Sequence, residues 1–262
     1  MIITRFAPSP TGQLHRGHAL AAWAAFAMAQ RHGGRFLLRF EDIDHTRVRE
    51  HFYAEIIEDL EWLGLKWTET PWQQRQRLGI YAQALASLQQ QEMVYPCFCT
   101  RKDLAREIAA APSAPHGLPD AIYPGTCRRL SASARLERIQ RGESFAWRLD
   151  SLKAAQHLCP QAFLDIHHGP QAVQAGLLGD VVIARKELMT SYHLAVVIDD
   201  AAQGVTLVSR GEDLLAATHV HCLLQGLLGL TTPLYWHHPL VCDARGKRCL
   251  LYTSDAADEE DS

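Results

Sequence analysis

The sequence has no long hydrophobic run and no strong excess of charge of either sign. No stretch of about 18 apolar residues occurs, and no basic segment followed by an apolar one opens the chain, so we expect neither a membrane span, a membrane partner nor a secretory leader. The formal net charge is −3, and the last nine residues hold five acidic residues and no basic one, which leaves +2 for the rest. Charge alone therefore neither supports nor excludes a nucleic-acid partner.

The cysteines do not form the pattern of a disulfide framework. Their number is seven, and two of them stand in a C-x-C pair, which favours free thiols or a metal site in a reducing compartment. Hydrophobic residues make up 47% of the 262 residues and charged residues 21%, as in globular proteins of one large domain or two small ones. We expect a cytoplasmic monomer.

Strand-like and helix-like segments alternate in the first third of the chain, which predicts an α/β fold with a doubly wound parallel sheet. The predicted strands cover residues 2–6 and 35–41, and a helix is predicted for 16–31. Ligands of such sheets bind at the carboxyl ends of the strands, where Arg5 and Glu41 lie. Further helices are predicted around Phe52, Ile56, Leu60 and Leu63 and from about 78 to 91.

The pattern changes after residue 92. Two cysteine-bearing segments and a Pro/Ala-rich loop at 109–119 indicate a module inserted into the sheet domain, and short strands are predicted at 145–149 and 162–167. The α/β alternation returns with strands at 181–184 and 205–209 and a helix at 214–228. The predicted units are the first half of a Rossmann-like catalytic domain (1–92), an inserted zinc-bearing subdomain (93–180), the second half of the catalytic domain (181–248) and an acidic tail (249–262).

An anion site is predicted at the first strand–helix junction. A Pro/Gly turn over residues 8–12 precedes His15, Gly17 and His18, which open the predicted helix. Free N–H groups and the positive end of the helix dipole attract phosphate there, and imidazoles donate hydrogen bonds to it. The alternative is a helix cap with two surface histidines.

The same segment, R-F-A-P-S-P-T-G-x-L-H-x-G-H, resembles the first signature of class I aminoacyl-tRNA synthetases of the glutamate branch. The resemblance implies a Rossmann-like class I fold that binds ATP with Mg²⁺, with His15 and His18 as catalytic residues. The nucleotide-binding residues that it implies are Pro8, Thr11, Gly12, His15, Gly17 and His18.

Two further segments resemble signatures of the same branch. Residues 39–47 resemble R-I-E-D-x-D-x-x-R, in which the Glu holds the substrate amino group, and residues 192–200 with Arg210 resemble Y-H-L-A-x-V-x-D-D followed by R-G-E-D. An Arg fork suits a free carboxylate, so two Arg and one Glu match a substrate with two carboxylates and one ammonium, which is L-glutamate. The implied glutamate-binding residues are Arg5, Ala7, Ser9, Glu41, Tyr192 and Arg210.

Cys97, Cys99 and Cys127 form a third constellation. Three thiols and one further donor suit tetrahedral Zn²⁺ in a closed, structural site. The spacing resembles the zinc knob in some members of the synthetase family, which implies Tyr123 as the fourth ligand. His116 competes for that role on chemistry alone, and buried free thiols are the alternative to a metal.

The resemblance favours the short members of the family, which lack an anticodon-binding half and attach glutamate to queuosine in tRNA(Asp). The segments Y-P-C-F-C-T-R, Y-P-G-T-C-R and D-D-A-A-Q-G-V-T carry this preference. The implied function is ATP-dependent activation of L-glutamate to glutamyl-adenylate and its transfer to tRNA(Asp) carrying queuosine. The alternatives are the catalytic half of a glutamyl-tRNA synthetase and a truncated fragment that binds nucleotide or tRNA with little activity.

The end of the sequence departs from the family. Residues 243–248 lead in the family into K-[LM]-S-K, whose second Lys contacts ATP phosphates, but Leu251 stands at that position here. We therefore interpret the C-terminal part as truncated, and 249–262 as a foreign or disordered acidic tail.

Restoring the motif tests this interpretation. A Lys that meets phosphate charge developing in the transition state contributes about 10²–10³ in rate, so a variant with K-L-S-K at residues 248–251 should activate glutamate at least about a hundredfold faster. ATP–pyrophosphate exchange measures both chains. Equal rates would mean that another group, such as Lys247 or Arg248, already acts as the lysine.

Overall fold

The computed structural model describes residues 1–100, 102–103, 122–186 and 188–240. His116, most of the predicted loop at 109–119, and the C-terminal segment with Leu251 lie outside the described residues, so the predictions made for them stay predictions.

Seven α-helices and ten strands are formed by the described residues, and none of these helices is long and apolar enough to cross a bilayer. The helices are α1 (Arg16–Arg31), α2 (Glu50–Trp62), α3 (Leu78–Gln90), α4 (Ala132–Gln140), α5 (Ser151–His157), α6 (Tyr192–Ala202) and α7 (Leu215–Leu227). The strands are β1 (Ile3–Phe6), β2 (Arg35–Phe40), β3 (Trp72–Gln73), β4 (Val94–Cys97), β5 (Ala146–Leu149), β6 (Ala162–Asp165), β7 (Gly169–Ala172), β8 (Val182–Arg185), β9 (Leu207–Gly211) and β10 (Leu234–His238). Short 3₁₀ helices cover Gln74–Arg77, Cys127–Arg129 and Glu212–Leu214.

Two sets of parallel strands meet side by side. β2 pairs in parallel with β1 and β3, and β10 pairs in parallel with β9 and β6. The sets adjoin where Thr206 N–H donates to Ile3 O at 3.0 Å and Ile3 N–H donates to Thr206 Oγ1 at 2.8 Å. The predicted parallel α/β sheet is confirmed. Because β1, β2 and β9 run the same way, their carboxyl ends bring Arg5, Glu41 and Arg210 to one edge.

Helix α1 packs on this sheet through alanine. Alanine favours helix and leaves room for close packing, and the Thr4 hydroxyl on β1 donates to the Ala25 carbonyl at 2.8 Å. The helix ends at Arg31, and Gly33 two residues later adopts φ +58°, a left-handed conformation that suits glycine and turns the chain away from the helix axis. A Cβ on Gly34 would lie 2.0 Å from the Ile2 carbonyl oxygen, so only glycine fits where the chain returns to pair with β1.

Strand pairing departs from the predicted boundaries of the insert. β4, β5 and β8 form a small antiparallel sheet, although β8 falls in the predicted second half of the catalytic domain. β6 and β7 fall inside the predicted insert of 93–180 but extend the sheet of β9 and β10. The bounds of the inserted module at 93–180 stay a prediction, and the strand pairing crosses them because local patterns identify strands but not their partners.

Several elements were not predicted, each for a local reason. β3 is only two residues long, and α4 is a nine-residue helix with no fully buried residue. β10 and α5 are further additions, whereas the helix predicted over 16–31 is confirmed at both ends.

Candidate active site and metal site

A cleft of about 420 Å³ opens at the carboxyl edge of the parallel strands. Its lining comprises Arg5, Phe6, Ala7, Pro8, Ser9, His18, Ala21, Glu41, Tyr192, Ser209, Arg210, Gly211 and Leu214. All six residues predicted for glutamate are therefore brought together here, with Pro8 and His18 of the nucleotide set. Thr11 and Gly12 lie in the turn that precedes α1, and His15 and Gly17 lie at the start of that helix, so none of the four lines this cleft.

The start of α1 differs from the predicted array of free N–H groups. His15 Nδ1 accepts hydrogen bonds from the backbone N–H groups of Gly17 and His18 at 3.1 and 3.3 Å. His18 Nδ1 accepts in turn from His15 N–H at 3.4 Å, and the two rings stack with centroids 3.6 Å apart. The imidazoles thus cap the helix, because their lone pairs satisfy donors that would otherwise face a ligand.

His18 keeps one ring donor for a ligand. Burial, with a smaller effect of His15, lowers the pKa of His18 to about 4, so His18 is neutral at pH 7. A neutral ring whose Nδ1 accepts carries its proton on Nε2. His18 is therefore a hydrogen-bond donor in the cleft and not a cation.

Asp200 holds two buried arginines. Its Oδ1 accepts from Arg5 Nε at 2.9 Å and pairs with Arg39 Nη1 at 2.8 Å. Arg5 also donates to the Ser209 carbonyl at 3.3 Å, and Arg39 to the Gln203 side-chain oxygen at 2.8 Å. Arg39 Nε also lies 3.8 Å from Asp199 Oδ2, so the two guanidinium charges face two carboxylates within the protein.

Glu41 lies at the floor of the cleft, immediately after β2. Burial raises its pKa to about 7, against the opposing effects of Arg39 and Arg5. Its nearest partner among these is Arg39 Nη2, 3.6 Å from Glu41 Oε1. Ser9 fixes the backbone here, because its hydroxyl donates to the Glu41 carbonyl at 2.8 Å. A carboxylate with such a raised pKa gains strongly from a cationic ligand.

Arg210 is buried and has no carboxylate partner among the described residues. In the part of the chain that the structure describes, its hydrogen bonds run to the Tyr192 hydroxyl (3.2 Å), Thr218 Oγ1 (2.5 Å), His221 Nδ1 (3.2 Å) and His237 Nε2 (3.2 Å). All four acceptors are neutral, so the guanidinium charge is left for an anion in the cleft. This differs from the compensated Arg5.

Sequence reasoning missed the residues around these arginines. Arg39, Asp200, Thr218, His221 and His237 are all buried, and none was assigned a role. Asp200 and Arg39 lie inside recognised segments, so their position was a signal. The histidines carried no signal in their spacing, because Arg210 and His237 meet only through the pairing of β9 with β10.

The three predicted cysteines meet at the end of β4. Their sulfur atoms all lie within 4.8 Å of one another, and Cys99 Sγ is 3.5 Å from Cys127 Sγ. Tetrahedral zinc with Zn–S bonds of about 2.3 Å places its sulfur ligands roughly 3.8 Å apart, so the cluster fits a metal ion.

The Tyr123 hydroxyl occupies the fourth corner of the cluster. Its oxygen lies 3.4 Å from Cys97 Sγ and 3.8 Å from Cys99 Sγ, and it accepts from Cys127 N–H at 2.8 Å. The Arg148 guanidinium stacks 4.0 Å from the centre of the Tyr123 ring. The competing candidate, His116, lies outside the described residues.

Comparison with known proteins places the chain beside tRNA synthetases. Residues 1–249 match the catalytic domain of class I tRNA synthetases (E and Q). A glutamyl-Q tRNA(Asp) synthetase of Rhodobacter capsulatus is 47% identical over 94% of this chain and 90% of its own length. One from Symbiobacterium thermophilum is 43% identical over 95% of this chain and 77% of its own.

Solved structures agree with the sequence comparison. The crystal structure of the glutamate-tRNA synthetase from Elizabethkingia anophelis is similar over the full chain, with a TM-score of 0.81 and 27% identity. This chain spans about half of that protein, 54% of its length. The expected class I synthetase fold is confirmed.

The raised pKa of Glu41 predicts a stability effect with a defined sign. Because the pKa of Glu41 lies near 7 in the folded state and near 4.5 unfolded, the ionised form destabilises the fold increasingly between these values and fully above pH 7. Glu41→Gln should therefore stabilise the protein by about 1–3 kcal/mol at pH 8 and by less than half of that at pH 5. Urea unfolding at both pH values measures the difference.

Glu58→Gln, on the exposed face of α2, is the matched control and should change stability by less than about 0.5 kcal/mol at either pH. A Glu41→Gln protein that is less stable than the parent at pH 8 contradicts the raised pKa of Glu41.

Proposed function

The chain belongs to the class I tRNA synthetase family of glutamate and glutamine enzymes, and from this we propose that it activates L-glutamate with ATP and transfers it to queuosine in the anticodon of tRNA(Asp). The observation that carries the glutamate assignment is the pairing in one cleft of an uncompensated guanidinium, Arg210, with a carboxylate of raised pKa, Glu41. The acceptor rests on the names of the relatives from Rhodobacter capsulatus and Symbiobacterium thermophilum.

Glutamate binds by its two ends. Its side-chain carboxylate lies against Arg210 and the Tyr192 hydroxyl, which are 3.2 Å apart, and its ammonium group lies against Glu41. Arg5 adds positive potential from β1, although Asp200 engages its Nε. Ala7 and Ser9 complete the wall of the cleft. This arrangement leaves the α-carboxylate directed to the nucleotide.

Activation is an in-line displacement at phosphorus. A glutamate α-carboxylate oxygen attacks the α-phosphorus of ATP, the bond to the bridging oxygen breaks, and pyrophosphate leaves with the Mg²⁺ that ATP brings. His15 and His18 donate hydrogen bonds to the phosphoryl oxygens on which charge builds. Pro8, Thr11, Gly12 and Gly17 shape the backbone turn that receives the nucleotide.

Transfer requires a hydroxyl next to the activated carbonyl. A pocket of about 230 Å³ shares Ser9, Glu41 and Tyr192 with the cleft and is also lined by Asp44, Arg185 and Thr190. We assign this pocket to the cyclopentene diol of queuosine. One diol oxygen attacks the carbonyl carbon, and the bond from that carbon to the phosphate oxygen breaks. The hydroxyl proton passes to the phosphate of the departing AMP as the ester forms.

An assay with three tRNA acceptors tests the proposal. The chain should catalyse glutamate-dependent ATP–pyrophosphate exchange and should attach radiolabelled glutamate to tRNA(Asp) that carries queuosine. tRNA(Asp) with guanosine at that position is the matched control and should stay unlabelled.

Labelling of tRNA(Glu) instead would identify the catalytic half of a glutamyl-tRNA synthetase, the reading favoured by the structural match to the Elizabethkingia anophelis enzyme. Absence of exchange would overturn the activation step and leave the nucleotide- or tRNA-binding fragment, and exchange with no acceptor labelled would overturn the transfer step.

The metal site is proposed to hold zinc in a structural role. Three sulfur donors and the Tyr123 oxygen form a closed set of four, which suits Zn²⁺ and leaves no position for a substrate. When bound, zinc supplies a cross-link between β4 and the turn that carries Cys127. Reduced thiols in this cluster fit the cytoplasm.

The purified protein should contain one zinc per chain, and Cys99→Ser should lose it, because three thiolates provide most of the affinity. Cys159→Ser, at an exposed cysteine outside the cluster, is the control and should retain the metal. Elemental analysis and the thermal unfolding midpoint report both outcomes. Protein prepared without chelator that contains no zinc contradicts the assignment.

A further inference from the structure

The hydrogen bonds behind Arg210 have a fixed direction, which follows from the two buried histidines that it contacts. Arg210 can only donate, so the ring nitrogens that face it must accept. Burial and the nearby Arg210 lower the pKa of His237 to about 4 and that of His221 well below its usual value. Both rings are therefore neutral at pH 7, with one N–H each.

Asp165 sets the tautomer of His237. The pKa of the Asp165 carboxyl is low, because hydrogen bonds from three backbone N–H groups and from His237 outweigh its burial. His237 Nδ1 lies 2.6 Å from Asp165 Oδ2 and so carries the proton. Its Nε2 lone pair then accepts from Arg210 Nε at 3.2 Å and from the Thr218 hydroxyl at 2.9 Å.

Arg210 sets the tautomer of His221, and His193 accepts the proton that this tautomer carries on Nε2. His221 Nδ1 accepts from Arg210, so its proton is on Nε2, which donates to His193 Nδ1 at 3.1 Å. Burial lowers the pKa of His193 to about 4, so this ring is also neutral. The lone pairs of His221 and His237 are thus consumed by Arg210 and are closed to any ligand.

Two hydrogen-bond donors, one on Arg210 and one on Tyr192, remain for a ligand. Of the five N–H groups of Arg210, four are used by the contacts to His237, His221, Tyr192 and Thr218, which leaves one on Nη2. The Tyr192 oxygen accepts from Arg210, so its own O–H is directed away from the guanidinium. The predicted fork of two Arg210 N–H groups is thereby replaced by one N–H and one O–H.

We propose that His221, held in its tautomer by Arg210 with His193 as acceptor, and His237, held by Asp165, are positioning residues. They leave only donors of Arg210 and Tyr192 for the side-chain end of the substrate and so select a carboxylate over a carboxamide. The inference rests on the proposed function and specifies its substrate selection. A carboxylate accepts from both donors, whereas the NH₂ group of glutamine finds the imidazole acceptors already used. A site with buried donors rejects such an analogue strongly.

A charge change at His221 tests the proposal. His221→Glu places a carboxylate on Arg210 and supplies an acceptor, so glutamate should bind at least about tenfold more weakly and the preference for glutamate over glutamine should fall at least about tenfold. His221→Gln keeps a neutral acceptor for Arg210 and should retain both within about threefold. Equilibrium dialysis with radiolabelled glutamate and glutamine measures binding without catalysis.

His51→Glu introduces the same charge at an exposed position of α2 and should change nothing. Unchanged selectivity in a folded His221→Glu protein overturns the inference while the proposed function stands. A parent chain that binds neither amino acid overturns both.

Nitrogen NMR of the histidine side chains tests the parent protein directly, even if His221→Glu does not fold. At pH 7 the spectrum should show a neutral Nδ1–H ring for His237 and a neutral Nε2–H ring for His221, each assigned by its loss in the His→Gln variant. A cationic ring or the opposite tautomer at either residue overturns the inference.

Discussion

Asp200 is the carboxylate on which the geometry of the cleft depends. It lies on α6, yet it pairs with Arg5 on β1 and with Arg39 on β2, so a single side chain joins three elements. Arg5 and Arg39 hold the pKa of Asp200 below its usual range despite its burial. Neighbouring Asp199 repeats the arrangement toward α3, because it accepts from Tyr81 and Arg77 at 2.7 Å. Such buried charges remain favourable only while every partner is in place.

Glu41 and Arg210 differ from the ion-paired groups around Asp200, because neither has a full charge partner among the described residues of the cleft. Glu41 is only about half ionised at pH 7, since its surroundings do not fully offset its desolvation. Arg210 keeps its charge amid neutral acceptors. An empty cleft therefore holds a carboxyl and a guanidinium that both gain from a zwitterionic ligand. These two groups lower the stability of the ligand-free protein and raise its affinity for the ligand, as is common in binding sites.

Sequence patterns predicted the elements near the cleft because local signals and tertiary structure agree there. The limits of α1 follow from alanine content and the glycines at its end, and the cleft residues lie in three segments that resemble known signatures. Cys97, Cys99 and Cys127 were grouped by their chemistry and by a spacing that resembles the zinc knob of the family, and they do meet. The acceptors of Arg210 were not found, because they depend on the register of β9 with β10 and on which face of α7 turns inward. The partners of the strands could not be predicted for the same reason, and β8 and β6 each pair with strands outside the unit predicted for them.

The crossed strand pairing has a consequence for how such a protein can be taken apart. Cys97 and Ala146 are opposite one another across β4 and β5, so the chain leaves the small sheet at residue 97 and re-enters beside it at 146. The exchangeable unit is thus 98–145, a segment whose ends are neighbours, as tolerated insertions require. Removal of residues 93–180 would instead take β6 away from its partner β10, and it would leave β8 without its partner β5. Recombination between relatives can replace the shorter piece and leave the parallel sheet whole, whereas the longer one carries part of that sheet with it.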